Sequence, residues 1–137
     1  MKNDLTTSTN KFYTIFIKCQ DKYLKRGGKM VKFAVDGINY ITLEPLTYKD
    51  ITIPEGFVFD GVTVKAPFTF LFSNKDLRKG IRASCFHDWM CKHKDKYDRK
   101  EATKLLVDIW VEDGLPKWKS SFVYISVELY QIFVNKW

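Results

Sequence analysis

Residues 84–93 read SCFHDWMCKH, so ten consecutive positions hold both histidines of the chain, two of its three cysteines and an aspartate. Three readings compete for such a stretch: a metal centre, acid–base catalysis by the histidine, or a helix that is merely rich in reactive side chains. His87 and Cys91 stand four apart, a helical spacing that can direct two ligands to one ion. Zinc, however, takes four ligands, or three and an open position. On a helix Cys85 lies about 120° around the axis from Cys91, His93 falls in the following loop, and Cys19 belongs to a distant strand. The cysteines are therefore read as small buried hydrophobes, the usual role of a free thiol.

His87 and Asp88 define the acid–base reading better. As helix neighbours their side chains diverge by about 100° and do not pair with each other. Adjacency divides the labour instead: the histidine serves as base for a water, and the aspartate, facing elsewhere, as ligand for a hard cation such as calcium. Two more parts are needed, a carboxylate that orients the imidazole and further oxygen ligands for the ion. A structural reading stands beside it, with the histidine bonded to a backbone carbonyl and the aspartate to the preceding loop.

Positioning these residues falls to helices in the second half of the chain. Residues 76–92 are predicted to form the first, with Asp76 as its N-cap. The second runs from about Asp98 to Asp113. Asp98 and Glu101 make its capping box, and Gly114 ends it in the left-handed conformation. Pro116 opens the last helix, where its missing N–H costs nothing. The first half alternates instead. FYTIFIK at 12–18 reads as a strand, MVKFAV and INYITL flank an Asp36-Gly37 hairpin signal for a type I′ turn, and DITI and GFVFD continue the sheet. Between them QDKYLKRGGK is a basic loop whose Gly27-Gly28 pair serves a turn, since a phosphate cradle would want a helix after it. The fold class is therefore α+β: an N-terminal antiparallel sheet of about four to six short strands (11–60), followed by three helices (76–136). Residues 11–137 are expected to form a single globular domain, preceded by a flexible arm, MKNDLTTSTN.

The last helix carries a second signal. Trp118, Phe122, Ile125, Leu129, Ile132 and Phe133 share one broad apolar face, and Val123, Val127, Tyr130 and Val134 occupy much of the opposite side. Only a narrow stripe of Ser120, Ser121, Tyr124, Glu128, Gln131 and Asn135 is polar. A surface helix of a monomer has a wider polar arc, so this one is expected either at the centre of the core or covered by a partner. In the second case Trp118, Val123, Val127, Tyr130 and Val134 are the interface residues.

With 45% hydrophobic residues, 137 positions suffice for one core. The formal charge of +7 favours acidic partners without choosing among them. Its basic residues form small scattered groups, Lys22, Lys25, Arg26 and Lys29, then Lys92, Lys94 and Lys96, and no single recognition helix, which makes nucleic acid the weaker candidate. Three cysteines make no disulfide framework and point to a reducing compartment. The N-terminus has no signal-peptide pattern, and the longest apolar stretch, FVYISVELYQIFV, contains Glu128 and Gln131 and is too short to span a bilayer. A soluble protein is expected.

Four segments also carry a resemblance. GFVFDGVT at 56–63, HDWMC at 87–91, DRKEAT at 98–103 and GLPKWKSSFVYISVELY at 114–130 resemble, in order, an uncharacterised domain family of tailed phages and prophages. That family's pattern is GF-x-TD-G-A-S-x-P, a helix with HD-x-L-Y, a helix with R-x-E-A-D and a last helix beginning G-V-P-x-W. The resemblance brings no activity and implies a phage or prophage origin.

The same elements resemble the helical core of the prokaryotic phospholipases A2. There an Asp-Gly loop supplies calcium ligands, a His-Asp pair supplies base and ligand, and an aspartate on the next helix orients the histidine. Carried over, Asp60 and Asp88 would ligate calcium and His87 would be the base. Thr103 stands where the phage family's helix has aspartate, so Asp98 or Glu101 would have to supply the orienting carboxylate. Capping alone explains both of these acids, and a loop turn explains Asp60. Lys65 replaces the loop proline, Cys91 replaces the tyrosine of HD-x-L-Y, and Ser84, not Cys85, occupies the offset at which secreted phospholipases anchor this helix.

The expectation is a phage-encoded interaction protein with a degenerate His-Asp site: a small virion, neck or tail component, or a host-directed accessory factor. Its partners would be virion proteins or a second copy, and its place the virion or the host cytoplasm. The alternative is a calcium-dependent, phospholipase-like hydrolase that uses His87 and Asp88 at an anionic membrane.

Overall fold

A computed structural model describes residues 13–19, 29–61 and 68–135. The chain divides into two compact units, residues 1–61 and residues 62–137. The expected arm over residues 1–10 and the Gly27-Gly28 turn lie outside the described residues.

In the first unit, β1 (Tyr13–Cys19), β2 (Lys29–Asp36), β3 (Asn39–Thr42) and β6 (Val58–Asp60) form one antiparallel sheet in the order β1-β2-β3-β6. β4 (Leu46–Tyr48) and β5 (Ile51–Ile53) form a separate hairpin. The register pairs Ile15 with Phe33 and Ile17 with Val31. All four are buried while Phe16 between the isoleucines is exposed, as a period of two requires. Thr42 fixes the crossing to β6: its buried hydroxyl donates to the Pro54 carbonyl and accepts the Phe57 N–H, both at 2.9 Å.

The β2–β3 turn differs from the expected one. Its two central residues are Gly37 and Ile38, because Asp36 pairs with Asn39 in the ladder. Gly37 has φ +63° and Ile38 has a negative φ. Positive φ at the first central position alone is the type II′ pattern, which places glycine there and leaves the second position open to isoleucine.

The second unit is helical. α1 (Asn74–Lys79) and α2 (Ile81–Cys91) replace the single helix expected over 76–92, and Gly80 separates them. Ser73, not Asp76, is the N-cap of α1. Asp76 sits three positions on and completes the capping box, with its N–H on Ser73 Oγ (3.1 Å) and its Oδ2 on the Ser73 N–H (3.2 Å). α3 (Arg99–Glu112) carries the expected box: Asp98 accepts from the Lys100 N–H at 3.2 Å, and Glu101 accepts from the Asp98 N–H at 3.3 Å. Gly114, at φ +119°, takes the chain out of that helix. A 3₁₀ turn (Lys117–Lys119) leads into α4 (Ser120–Tyr130), which ends in a π turn over Gln131–Asn135. No helix of the described residues is long and apolar enough to cross a membrane.

The core of this unit is built from Ile81, Ala83, Cys85, Phe86 and Met90 of α2, Ala102, Leu105, Leu106, Ile109 and Trp110 of α3, then Leu115 and Val123. Burying a large side chain among these contributes roughly 1.5–3 kcal/mol. Polar ties set the angles between helices. Trp110 Nε1 donates to the Asp76 carbonyl at 2.9 Å, and Arg82 holds Asp113 by two bonds of 2.9 Å. Lys119 pairs with the Asp76 carboxylate.

α4 does not lie wholly in the core, and part of its polar stripe faces inward. Glu128 and Gln131, two members of its polar stripe, are buried together with Val123 and Ser126. Trp118, Ile125, Leu129, Ile132 and Phe133, members of the broad apolar face, are exposed. Val123 is thereby removed from the expected interface set, Val127 is half-buried, and Trp118, Tyr130 and Val134 are exposed.

Candidate functional site

α2 forms because residues 81–91 hold no proline or glycine, and it buries Ile81, Ala83, Cys85, Phe86 and Met90 together with Arg82 and Ser84. His87 and Cys91, both half-buried, share another face. The i, i+4 spacing sets Cys91 Sγ 3.7 Å from Nδ1 of His87, and Gln131 donates its side-chain N–H to the same sulfur at 3.8 Å. The expected pairing of His87 with Cys91 on one face is thus present. Cys85 is fully buried on the apolar face, and His93, beyond the end of the helix, lies 2.7 Å by its Nδ1 from the Trp89 carbonyl.

The carboxylate associated with this face comes from α4. Glu128 accepts the Thr103 hydroxyl at 2.7 Å and the Arg99 Nε–H at 3.2 Å. The Thr103 hydroxyl thus binds an acid that reaches in from the next helix. Burial pushes the His87 imidazole down to about 4, and the negative charge of Glu128 acts in the opposite direction. His87 is therefore neutral at neutral pH. Cys91 is pushed up to about 12, chiefly by burial and then by the charge of Asp88, and burial raises Cys85 as well. Both sulfurs are thiols, not thiolates.

The remaining candidate acids lie elsewhere. Asp98 and Glu101 are exposed, and their carboxylates are engaged in the capping box of α3. Asp88 forms an ion pair with Lys92 at 3.6 Å. Asp60 is exposed at the end of β6, in the first unit, whereas Asp88 belongs to the second. Among the described residues no group of three or more His, Cys, Asp or Glu side chains is placed to hold a metal ion.

A neutral imidazole touching a thiol, with a bound carboxylate acting on it, can accept a proton. At about 4, however, its basicity is far below the near-neutral value that suits a general base. Glu128, Arg99 and Gln131 were not singled out from the sequence as members of this site. The available signal was Glu128, the one charged residue among residues 120–135, with Gln131 three positions on.

Residues 37–127 match the family described as a protein of unknown function, DUF1353. The match covers more than half of the chain, and the chain belongs to this family. The GFVFDGVT, HDWMC and DRKEAT segments all fall inside it. No curated protein and no solved structure matches.

Proposed function

We propose that this member of the DUF1353 family acts by interaction, as a small virion, neck or tail component of a tailed phage or as a host-directed accessory factor, engaging protein through α4. One observation carries the reading: α4 turns Glu128 and Gln131 inward and leaves Trp118, Ile125, Leu129, Ile132 and Phe133 exposed. Exposed apolar patches of this kind mark interaction sites. The phage setting rests on the resemblance of the chain's motifs. In this reading His87 and Asp88 are the retained frame of a site whose base is held neutral and weak.

The test is substitution on the exposed face. Ile125→Glu and Leu129→Glu, each verified as folded, are expected to lower the protein's incorporation into purified particles, or its complementation of a gene deletion, at least tenfold. Undiminished incorporation and complementation would overturn the reading.

A second reading, calcium-dependent hydrolysis of phospholipid or another ester, is favoured by the Glu128 carboxylate acting on His87. In it His87 is the base and Asp88 and Asp60 are calcium ligands. Purified protein and His87→Ala would be assayed on phospholipid vesicles with calcium and with a chelator. Calcium-dependent turnover that disappears in the variant establishes this reading. A folded protein that neither binds calcium nor turns over eliminates it.

A further inference from the structure

The acids around α1 are used up internally. Asp76 pairs with Lys119, and Asp113, at the C-cap of α3, is bound by Arg82. Lys75, Arg78 and Lys117 are exposed, and Lys79, half-buried, donates to the Gly114 carbonyl at 3.4 Å. Among the described residues none of these four cations has a carboxylate partner. They are also neighbours. Lys75, Arg78 and Lys79 stand at i, i+3 and i+4, on one face of α1. Two ties set residues 114–119 alongside that helix, Lys79 to Gly114 at one end and Asp76 to Lys119 at the other. α1 is only about 9 Å long, so Lys117, between the two ties, adds its charge to the same patch. Two large apolar side chains stand beside these cations. Trp118, next to Lys117, is 62% exposed. Phe70, 81% exposed, comes two residues before Phe72, and the Lys119 ammonium lies 5.6 Å from the Phe72 centroid and 5.4 Å from that of Trp118.

We infer that this patch is a contact for an anionic lipid surface: Phe70 enters the boundary between headgroups and acyl chains, Trp118 lies at headgroup level, and Lys75, Arg78, Lys79 and Lys117 meet the phosphates. The inference depends on neither reading above, since it uses neither the His87 site nor the aliphatic residues of α4. Cations alone would suit any anion, and exposed rings alone any apolar partner. Their combination, with no acid left over, is that of a protein face lying on a charged membrane. Single-stranded nucleic acid also combines cations with rings, but its bases stack on free ring faces. The Trp118 indole already has the Lys119 ammonium over its ring and the Phe122 ring perpendicular to it, 6.4 Å between centroids. A headgroup layer asks for no stacking and takes the Phe70 ring whole.

The experiment sediments the full chain with vesicles of phosphatidylglycerol and phosphatidylcholine in equal parts, and with vesicles of phosphatidylcholine alone. Binding to the mixed vesicles is expected, falling as salt is raised and weak where the anionic lipid is absent. A cation at an anionic leaflet raises the partition roughly fivefold, so Lys75→Ala combined with Arg78→Ala should weaken binding about 25-fold. Phe70→Ala should weaken it roughly tenfold or more, with unchanged circular dichroism. Lys75→Arg combined with Arg78→Lys, which keeps the charges, should bind like the parent. No binding to the mixed vesicles overturns the inference, and so does binding that persists in both the charge variant and Phe70→Ala. A single-stranded oligonucleotide that competes with the vesicles, and is itself released by Phe70→Ala, would assign the patch to nucleic acid and overturn the lipid contact.

Discussion

The Thr103 hydroxyl donates to the Glu128 carboxylate across 2.7 Å and so ties α3 to α4. The negative charge that the threonine binds is carried by the neighbouring helix. Removing either partner reports on the arrangement in a different way.

Thr103→Val deletes one hydrogen bond to a buried carboxylate and is expected to cost about 1–2 kcal/mol in urea denaturation. Glu128→Ala also strips Arg99 of its partner, and since the Arg99 side chain is 28% exposed the added cost is moderated by solvent, for a total of about 1–3 kcal/mol. A double-mutant cycle should return coupling between the two sites. Thr103→Asp is expected to destabilise, because it sets a second carboxylate against Glu128. A more stable Thr103→Asp protein would contradict this geometry.

The depressed His87 value has a definite pH signature. An unfolded histidine takes up its proton near 6.5, whereas His87 in the fold does so only near 4. Between those values the unfolded chain binds more protons, so this contribution to stability is full above about 6.5, falls as the pH falls, and is gone below about 4. Urea midpoints from pH 7 to pH 4 should decline in the parent and decline less in His87→Gln. Nuclear magnetic resonance titration would show the His87 imidazole still neutral at pH 5.

The pair of Arg82 and Asp113 is the most deeply buried ion pair of the described helical unit, with side-chain exposures of 3% and 0%. Asp113→Ala would remove the two 2.9 Å bonds that hold the buried guanidinium, and Glu112 is more distant at 3.9 Å. A loss of about 3–5 kcal/mol is expected, read from the denaturation midpoint. Replacing both residues with apolar groups of similar volume should recover much of it.

Thiol chemistry should follow burial. Cys85, fully buried, and Cys91, pushed up to about 12, are expected to react slowly with iodoacetamide at pH 7.5 in the native protein and readily in denaturant. Peptide mapping assigns the label to each cysteine. Fast native labelling of Cys91 would show a thiolate and reopen the metal reading of the His87–Cys91 face.

What could be read in advance depended on how local the cause was. The Asp98–Glu101 capping box, the positive φ at Gly114 and the alternation through Ile15 and Ile17 each follow from interactions within a few residues. The hairpin at Gly37 was legible as a hairpin but not as type II′, since register decided which pair of residues was central. Gly80 could have been read as a break between two helices, yet an isolated glycine within a helical pattern is often tolerated.

By itself the sequence determined the α+β class with strands before helices, the capping box of α3, and the fact that His87 and Asp88 could not serve each other, because all of these are fixed by spacing along one chain segment. Only the tertiary structure decided that Glu128 of α4 is the acid bound by Thr103 and Arg99, and that Glu128 and Gln131 face inward while Ile125 and Leu129 are exposed. Periodicity shows that a helix has two faces. Which of them is buried depends on what the neighbouring helices offer, and here Thr103 and Arg99 give a carboxylate the partners that make its burial tolerable.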